Sequence, residues 1–379
     1  VKIVSGMQDI KLNNCERQKR WEWEKVQAKL FKISTKSLSL GQLQEIGGMF
    51  IDQVKNILIS FVTAKAVING KMSIGMMMSL QYIMGQLNAP ISQFIGFVQS
   101  FQDASLSLER LGEIYGMEDE QSDNIVKNYE IQDKADIEFK DVCFQYPGSE
   151  SPMVLDKINL VIPFGKTTAI VGTSGSGKTT MLKLMLGFYT PIAGELFVGG
   201  KRLTEYNIRD WRSLCGSVMQ EGYIFSDSIA ANIALSDDKP DMERVRKVAL
   251  ASNIGEWIET LPLGYNTRIG TAGNGISTGQ KQRLLIARAL YKDAKYIFLD
   301  EATNSLDAEN EKTIMKHMEG VLSGKTVVIV AHRLSTVKNA DNIVVLSSGR
   351  IVESGTHEEL IASRGNYYQL VKNQLELGK

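Results

Sequence analysis

The sequence predicts an α-helical transmembrane part followed by a layered α/β domain, with a polar linker between them. Three observations carry that expectation. Met72–Gln102 holds no charged residue over a length sufficient to cross a bilayer as one helix. From Ile137 onward, short apolar β-branched runs alternate with helix-like stretches, the pattern of strands and helices packed in layers. Between the two, residues 116–136 (GMEDEQSDNIVKNYEIQDKAD) are acidic and polar. The expected parts are therefore 1–115, 116–136 and 137–379.

Composition narrows the field. A chain of 379 residues is long enough for two or three domains with a sizeable core. Lys+Arg and Asp+Glu both number 43, so no net field points to nucleic acid and no nucleic-acid partner is expected. Cys15, Cys143 and Cys215 form no C-x-x-C pair and read as unpaired thiols in a reducing compartment. There is no signal peptide, and the chain opens on Val1 rather than Met, which reads as a fragment of something longer.

Taken in order, residues 1–45 are polar and highly charged and read as a long, water-exposed helix. Its Lys/Arg cluster around Arg17-Gln18-Lys19-Arg20 fits either the cytoplasmic side of a membrane or a simple solvated face. Ile46–Ile68 is a weaker apolar stretch, interrupted by Asp52, Lys55 and Lys65. Asp52 and Lys55 read as partners of one another or as groups near the water interface. Asn69-Gly70-Lys71 is the expected turn into the uncharged helix. On a helical period Met76, Leu80, Ile83, Leu87, Ile91, Phe94, Val98 and Phe101 share one face of that helix. Gln81, Gly85, Asn88, Ser92, Gly96 and Gln99 share the other. The polar face suits tight helix packing as well as it suits a substrate path, and Pro90 is expected to bend the helix.

In the α/β part, Ile137–Phe144 reads as a strand closing at Tyr146-Pro147-Gly148, and Ile158–Ile162 reads as a second. Thr167–Val171 is a third, running into Gly172-Thr173-Ser174-Gly175-Ser176-Gly177-Lys178-Thr179, with Thr180 opening a helix. The octet fits the phosphate-loop pattern G-x-x-x-x-G-K-[ST], and strand and helix stand where the pattern needs them. Glycines let backbone N–H groups converge on anionic oxygens, and the helix N-terminus adds partial positive charge. Lys178 is expected on the β- and γ-phosphates and the Thr179 hydroxyl on Mg²⁺. Farther on, Lys295–Leu299 is an apolar strand ending in Asp300-Glu301. Asp300 is expected to hold Mg²⁺ through water and Glu301 to act as general base toward the attacking water. The expected fold of this part is an α/β P-loop NTPase domain.

Ile276-Ser277-Thr278-Gly279-Gln280-Lys281-Gln282-Arg283 resembles the signature sequence of ATP-binding-cassette (ABC) proteins and lies the expected short distance before Asp300-Glu301. The resemblance covers roughly residues 137–379. It implies Tyr146 at the adenine-stacking position, Gln220 near Mg²⁺ and the attacking water, and Asp307 in the Ser305-Leu306-Asp307 loop. It also implies a catalytic role for His332, after the strand Thr326–Val330. Ser277, Gly279 and Gln280 would then contact the ATP bound by another copy.

With helices fused in front, the whole looks like an ABC exporter half-transporter. Gln220–Phe225 resembles the branch of peptide, bacteriocin, multidrug and lipid exporters. That branch has six spans per half, of which this chain carries about the last two. Gly6–Lys11 stands where such exporters place a cytoplasmic coupling helix. The implied setting is the cell (inner) membrane, multi-pass, with the ATP-binding domain in the cytoplasm. The implied partners are a second copy or a paired different subunit, the lipid, and a transported substrate such as a peptide. The competing reading, a soluble ABC ATPase of DNA repair or translation, leaves the uncharged run unexplained. Two departures stand out: Thr278 replaces the first glycine of the signature pair, and Thr271 occupies a place where exporters often carry a glutamate. His317 reads as solvent-facing and His357 as a bystander in a helix start capped by Thr356 and Glu359. The four tryptophans read as packing or interfacial anchors.

Overall fold

The computed structural model describes residues 6–117, 120, 131–132, 134–148, 151–270, 275–302, 308–331 and 337–377. The chain divides into two compact units, Val1–Met117 and Glu118–Lys379.

The described residues of the first unit form helices joined by short turns. A short helix, α1 (Met7–Leu12), precedes α2 (Glu16–Ile68) and α3 (Ile74–Tyr115). At 1.5 Å per residue, the 53 residues of α2 extend roughly 80 Å. Its charged N-terminal half is laced by Lys19–Glu22 and Arg20–Glu24 pairs, both at 2.8 Å, at the one-turn spacing that supports a solvated helix. The chain reverses at the expected turn: Gly70 adopts φ +65, and the Ser73 hydroxyl accepts from the Met76 N–H at 3.2 Å to start α3. Lys55 and Asp52 form an ion pair, so of the two readings for these charges the partnered one is observed. Asn56, Ile59 and Ser60 of α2 meet Gln81, Met84 and Gly85 of α3 around a cavity of about 250 Å³. The first turns of the polar stripe on α3 therefore pack on a neighbouring helix, which small and amide side chains permit. Helix α3 continues through Pro90.

One expectation needs correction. Among the described residues no helix is long and apolar enough to cross a membrane. Lacking charge is not the same as being apolar: Gln81, Gln86, Ser92, Gln93 and Gln99 dilute the hydropathy of α3. What the unit does expose is large apolar side chains. Phe50, Ile57, Phe61, Val62, Ile83, Phe94, Phe97 and Phe101 are each more than half exposed.

The second unit holds two sheets. An antiparallel sheet in the order β2-β1-β4-β5 uses β1 (Ile137–Gln145), β2 (Met153–Ile162), β4 (Ala193–Val198) and β5 (Lys201–Arg202). The larger sheet has the order β10-β9-β3-β8-β7-β6, with β3 (Thr167–Gly172), β6 (Cys215–Val218), β7 (Tyr296–Asp300), β8 (Thr326–Val330), β9 (Asn342–Ser347) and β10 (Arg350–Gly355). All its pairings are parallel except β10 with β9.

Alternation along the strands splits the core in two. Ala169, Ile297, Leu299, Val327, Ile329 and Ile343 pack on one face of this sheet, while Ile170, Phe298, Val328, Val330 and Val344 pack on the other. With both faces covered, the strands read as continuous apolar runs, which is why they were legible. Trp211 is fully buried and donates its indole N–H to the Met185 carbonyl at 2.7 Å, and Trp257 packs on the core. Both are packing residues, whereas Trp21 and Trp23 are exposed on α2. The Thr356 cap and its reciprocal Glu359 contact are both present.

Candidate active site

The strand order sets the site. β3 and β7 flank β8, whose Val330 is in register with Ile170 on one side and Asp300 on the other. The phosphate loop after β3 and the carboxylates ending β7 thus emerge two strand spacings apart, roughly 10 Å, on the same edge of a parallel sheet. The helix Lys178–Met185 bridges that gap: the Thr179 hydroxyl donates to Asp300 Oδ1 at 3.2 Å.

The loop's shape requires glycine at two positions. A Cβ on Gly172 would lie 2.1 Å from the Leu346 carbonyl oxygen. Gly177 caps the helix at φ +103, where a Cβ would lie 2.6 Å from a methyl of Leu155. Thr173, Ser174 and Gly175 form the exposed rim, and Ser176 is buried with no hydrogen-bond partner for its hydroxyl among the described residues. Lys178 curls back over the loop, donating to the carbonyls of Gly172 at 3.0 Å and Thr173 at 2.8 Å. Burial lowers its pKa, opposed by the nearby carboxylates Glu301 and Asp300.

Asp300 is wholly buried, and burial raises its pKa against the counter-effect of the Thr179 hydrogen bond. Among the described residues its Oδ2 has no hydrogen-bond partner. A buried carboxylate oxygen left over beside a threonine hydroxyl is a hard-oxygen pair of the kind Mg²⁺ takes. Among the described residues no three His, Cys, Asp or Glu side chains converge as a cage for a metal. Mg²⁺ does not need one, since it binds through one or two carboxylates while keeping waters and substrate phosphates. The residues present fit the ion.

Glu301 sits one residue beyond the strand at φ +50, and its Oε2 accepts from the Gln220 amide at 3.0 Å. The phenol of Tyr146 shares a 3.0 Å hydrogen bond with the Thr180 hydroxyl, and its ring stands edge-on to Phe144 and Tyr189. A cleft of about 850 Å³ opens beside Tyr146, walled by Phe144, Phe188, Tyr189 and Tyr206; Tyr146 is the one candidate residue on its lining. The structure therefore brings together the phosphate loop, Thr179, Thr180, Tyr146, Gln220, Asp300 and Glu301. His332, Asp307 with its loop, and Thr271 lie outside the described residues.

The signature residues stand apart. Among the described residues no hydrogen bond or ion pair joins Ser277, Gly279 or Gln280 to the phosphate loop. Instead they open the helix Thr278–Tyr291. The Ser277 hydroxyl accepts from the Gln280 N–H at 3.2 Å, and the Gln280 side-chain oxygen accepts from the Ser277 N–H at 2.8 Å. Ser-x-x-Gln before an apolar run is a capping box, a sequence signal for a helix start that the functional motif overlies. Thr278 is the first residue of this helix and exposed, so its Cβ costs no backbone strain in place of glycine. Gln282, one turn farther in, donates from Nε2 to the Glu301 carbonyl at 2.8 Å. Nothing in the sequence links these two, which stand 19 residues apart.

Comparison with known proteins agrees with this geometry. Residues 155–304 match the ABC transporter family. The chain is 37% identical over 377 residues to the toxin RTX-I translocation ATP-binding protein of Actinobacillus pleuropneumoniae, covering 99% of this chain and 53% of that protein. It is also 37% identical to the leukotoxin translocation ATP-binding protein LktB of Mannheimia haemolytica, covering 100% of this chain and 53% of that protein. The chain thus spans about half the length of the relatives it matches. A solved bacterial Atm1-family ABC exporter with ATP bound superposes with a TM-score of 0.91 at 27% identity, over 98% of this chain and 65% of that one. Residues 155–304, within the second unit, thus match the ABC transporter family and carry the phosphate loop, the signature and the Asp300-Glu301 pair described above.

Proposed function

We propose that the chain is part of an exporter half-subunit that hydrolyses ATP to move a polypeptide across a membrane. The observation that carries this reading is the cluster at the sheet edge: Lys178, Thr179, Asp300, Glu301 and Gln220 within one hydrogen-bonded neighbourhood.

The chemistry follows from those side chains. Loop N–H groups and the helix N-terminus hold the nucleotide phosphates. Lys178 exchanges its two carbonyl partners for β- and γ-phosphate oxygens, a stronger, charge-assisted contact. Thr179 and Asp300 would hold Mg²⁺, and the ion would offset negative charge on the phosphoryl oxygens when bound. Glu301 takes the proton of the attacking water as the water oxygen bonds to the γ-phosphorus and the bond from that phosphorus to the bridging oxygen breaks, ADP leaving with that oxygen; the Gln220 amide fixes the carboxylate that receives the proton. Ser277 and Gly279 would serve the ATP of a second copy, a reading supported by the lack of any hydrogen bond from them to the phosphate loop among the described residues. A paired different subunit is the alternative partner.

Export is supported by the exposed apolar side chains of α2 and α3, more than a soluble monomer leaves uncovered, and by the relatives' lengthwise match. These helices would sit among other helices of a bundle, their amides and small residues turned toward protein; α1 would act as the coupling helix, with the ATP-binding domain on the cytoplasmic side. A polypeptide cargo is suggested by the relatives' toxin-translocation names. The decisive test is Glu301→Gln in the detergent-solubilised full chain. ATP binding should persist while turnover falls about a hundredfold or more. Turnover near the wild-type rate would remove Glu301 from the role, and release of the protein from membranes by carbonate alone would return the soluble-ATPase reading.

A further inference from the structure

We propose that Gln282 is a positioning residue for Glu301, tying the catalytic carboxylate to the helix that carries the signature of the same chain. The inference rests on the reading of Glu301 as the base.

Glu301 occupies a conformation that side-chain-bearing residues avoid. At φ +50 its Cβ crowds the following carbonyl, so the turn persists only where its surroundings hold it. Its N–H donates to the Val330 carbonyl at 2.9 Å, anchoring it to the neighbouring strand β8. Its Oε2 accepts from Gln220. Its carbonyl accepts from Gln282 Nε2 at 2.8 Å. The first two contacts come from the sheet and the segment just after β6; the third comes from the helix Thr278–Tyr291. Losing that third contact removes one tie that resists rotation of the peptide after Glu301 toward negative φ, a rotation that would carry the side chain with it.

The helix is well suited to the task. Its inner half, Leu284–Tyr291, is buried almost throughout, and its start is locked by the Ser277/Gln280 capping box. Arg283, next to Gln282, donates to the Asn253 carbonyl at 2.6 Å, holding this turn laterally. Ser277 and Gln282 lie five residues apart on one rigid helix, about 7.5 Å along its axis. A signature engaged by nucleotide on one side and a carboxylate aligned for attack on the other are therefore mechanically one piece.

The test uses the full chain in detergent, with Gln282→Met, which keeps length but has no donor, and Gln282→Glu, which donates only when protonated. In Gln282→Met, kcat should fall about 10- to 100-fold, the scale of a misplaced reacting group, with the KM for MgATP within about twofold and an unchanged thermal midpoint. In Gln282→Glu, the ratio of kcat to that of the wild type at the same pH should rise as the pH is lowered from 8 to 6, while the Gln282→Met ratio stays flat. Wild-type kcat in Gln282→Met overturns the proposal. So does a fall in kcat matched by lost ATP affinity and a lower thermal midpoint, or a pH-independent ratio in Gln282→Glu. Glu301→Gln, run alongside, separates the two levels. If it leaves turnover intact, the assignment of the base fails; if it abolishes turnover while Gln282→Met does not, only the role of Gln282 fails.

Discussion

Thr179→Val probes the electrostatic balance at the end of β7 without adding volume. In the nucleotide-free protein the Thr179 hydroxyl is the hydrogen-bond donor to Asp300 Oδ1, and Asp300 Oδ2 has none among the described residues. Valine leaves a wholly buried carboxylate with both oxygens unmatched, which costs about 1–3 kcal/mol. For a unit of this size each kcal/mol lowers the unfolding midpoint by about 2–4 °C, so the expected drop is roughly 2–12 °C. The sign of the pH dependence is fixed by the direction of the Asp300 shift. Burial holds its folded-state pKa above the unfolded value of about 3.9, so the ionised form is the one the fold penalises. That penalty is absent below the unfolded pKa and sets in as pH rises through the folded one. The Thr179 hydrogen bond opposes the shift, and removing it moves the folded pKa higher still. The cost of Thr179→Val should therefore be larger in alkali than in acid, because at low pH Asp300 takes up a proton instead. The assay is thermal unfolding of the nucleotide-free protein by tryptophan fluorescence, in wild-type and Asp300→Asn backgrounds. With no charge to satisfy, the Asp300→Asn background should reduce the effect of Thr179→Val to less than half. An equal drop in both backgrounds, or a larger one in acid than in alkali, would refute the reasoning.

Two glycines of one loop should respond unequally. Gly177→Ala combines left-handed backbone with a 2.6 Å approach to Leu155 and should cost about 2–5 kcal/mol, whereas Gly175→Ala, at φ +77 with open space, should cost only about 1–2 kcal/mol; thermal midpoints of the two variants decide it. Lys178→Ala should abolish ATP binding, by removal of the buried cation that faces the phosphates, and Ser277→Arg should block the signature without touching the phosphate loop. If sites are shared between copies, mixing these two inactive variants should restore part of the turnover; no recovery in demonstrated hybrids would count against sharing.

Legibility followed the range of the interactions. The strand Thr167–Val171, its glycine loop and the strand ending in Asp300-Glu301 were readable because a buried parallel strand writes itself as an apolar run and its tip is where function sits. The six-stranded order was not readable. Whether Asp300 lies one or two strands from the phosphate loop depends on β8, contributed by residues 326–330, far along the chain from Thr167. Amphipathicity in α3 was visible, but not what its polar stripe faces, since that depends on which residues of α2 stand opposite Gln81 and Gly85. The signature is the instructive case. Read as a motif, Ser277 and Gln280 point outward to another molecule's phosphate; read as local structure, the same two side chains satisfy the first N–H groups of a helix. Both readings use the same atoms, because a helix N-terminus whose donors are held in order is also a surface prepared for an anion. Gln282 shares the octet but works in the opposite direction, inward to the Glu301 carbonyl. A motif recognised by its spacing alone merges these roles, and only the contacts separate the residues that would face a second copy from the one that steadies the chemistry of its own.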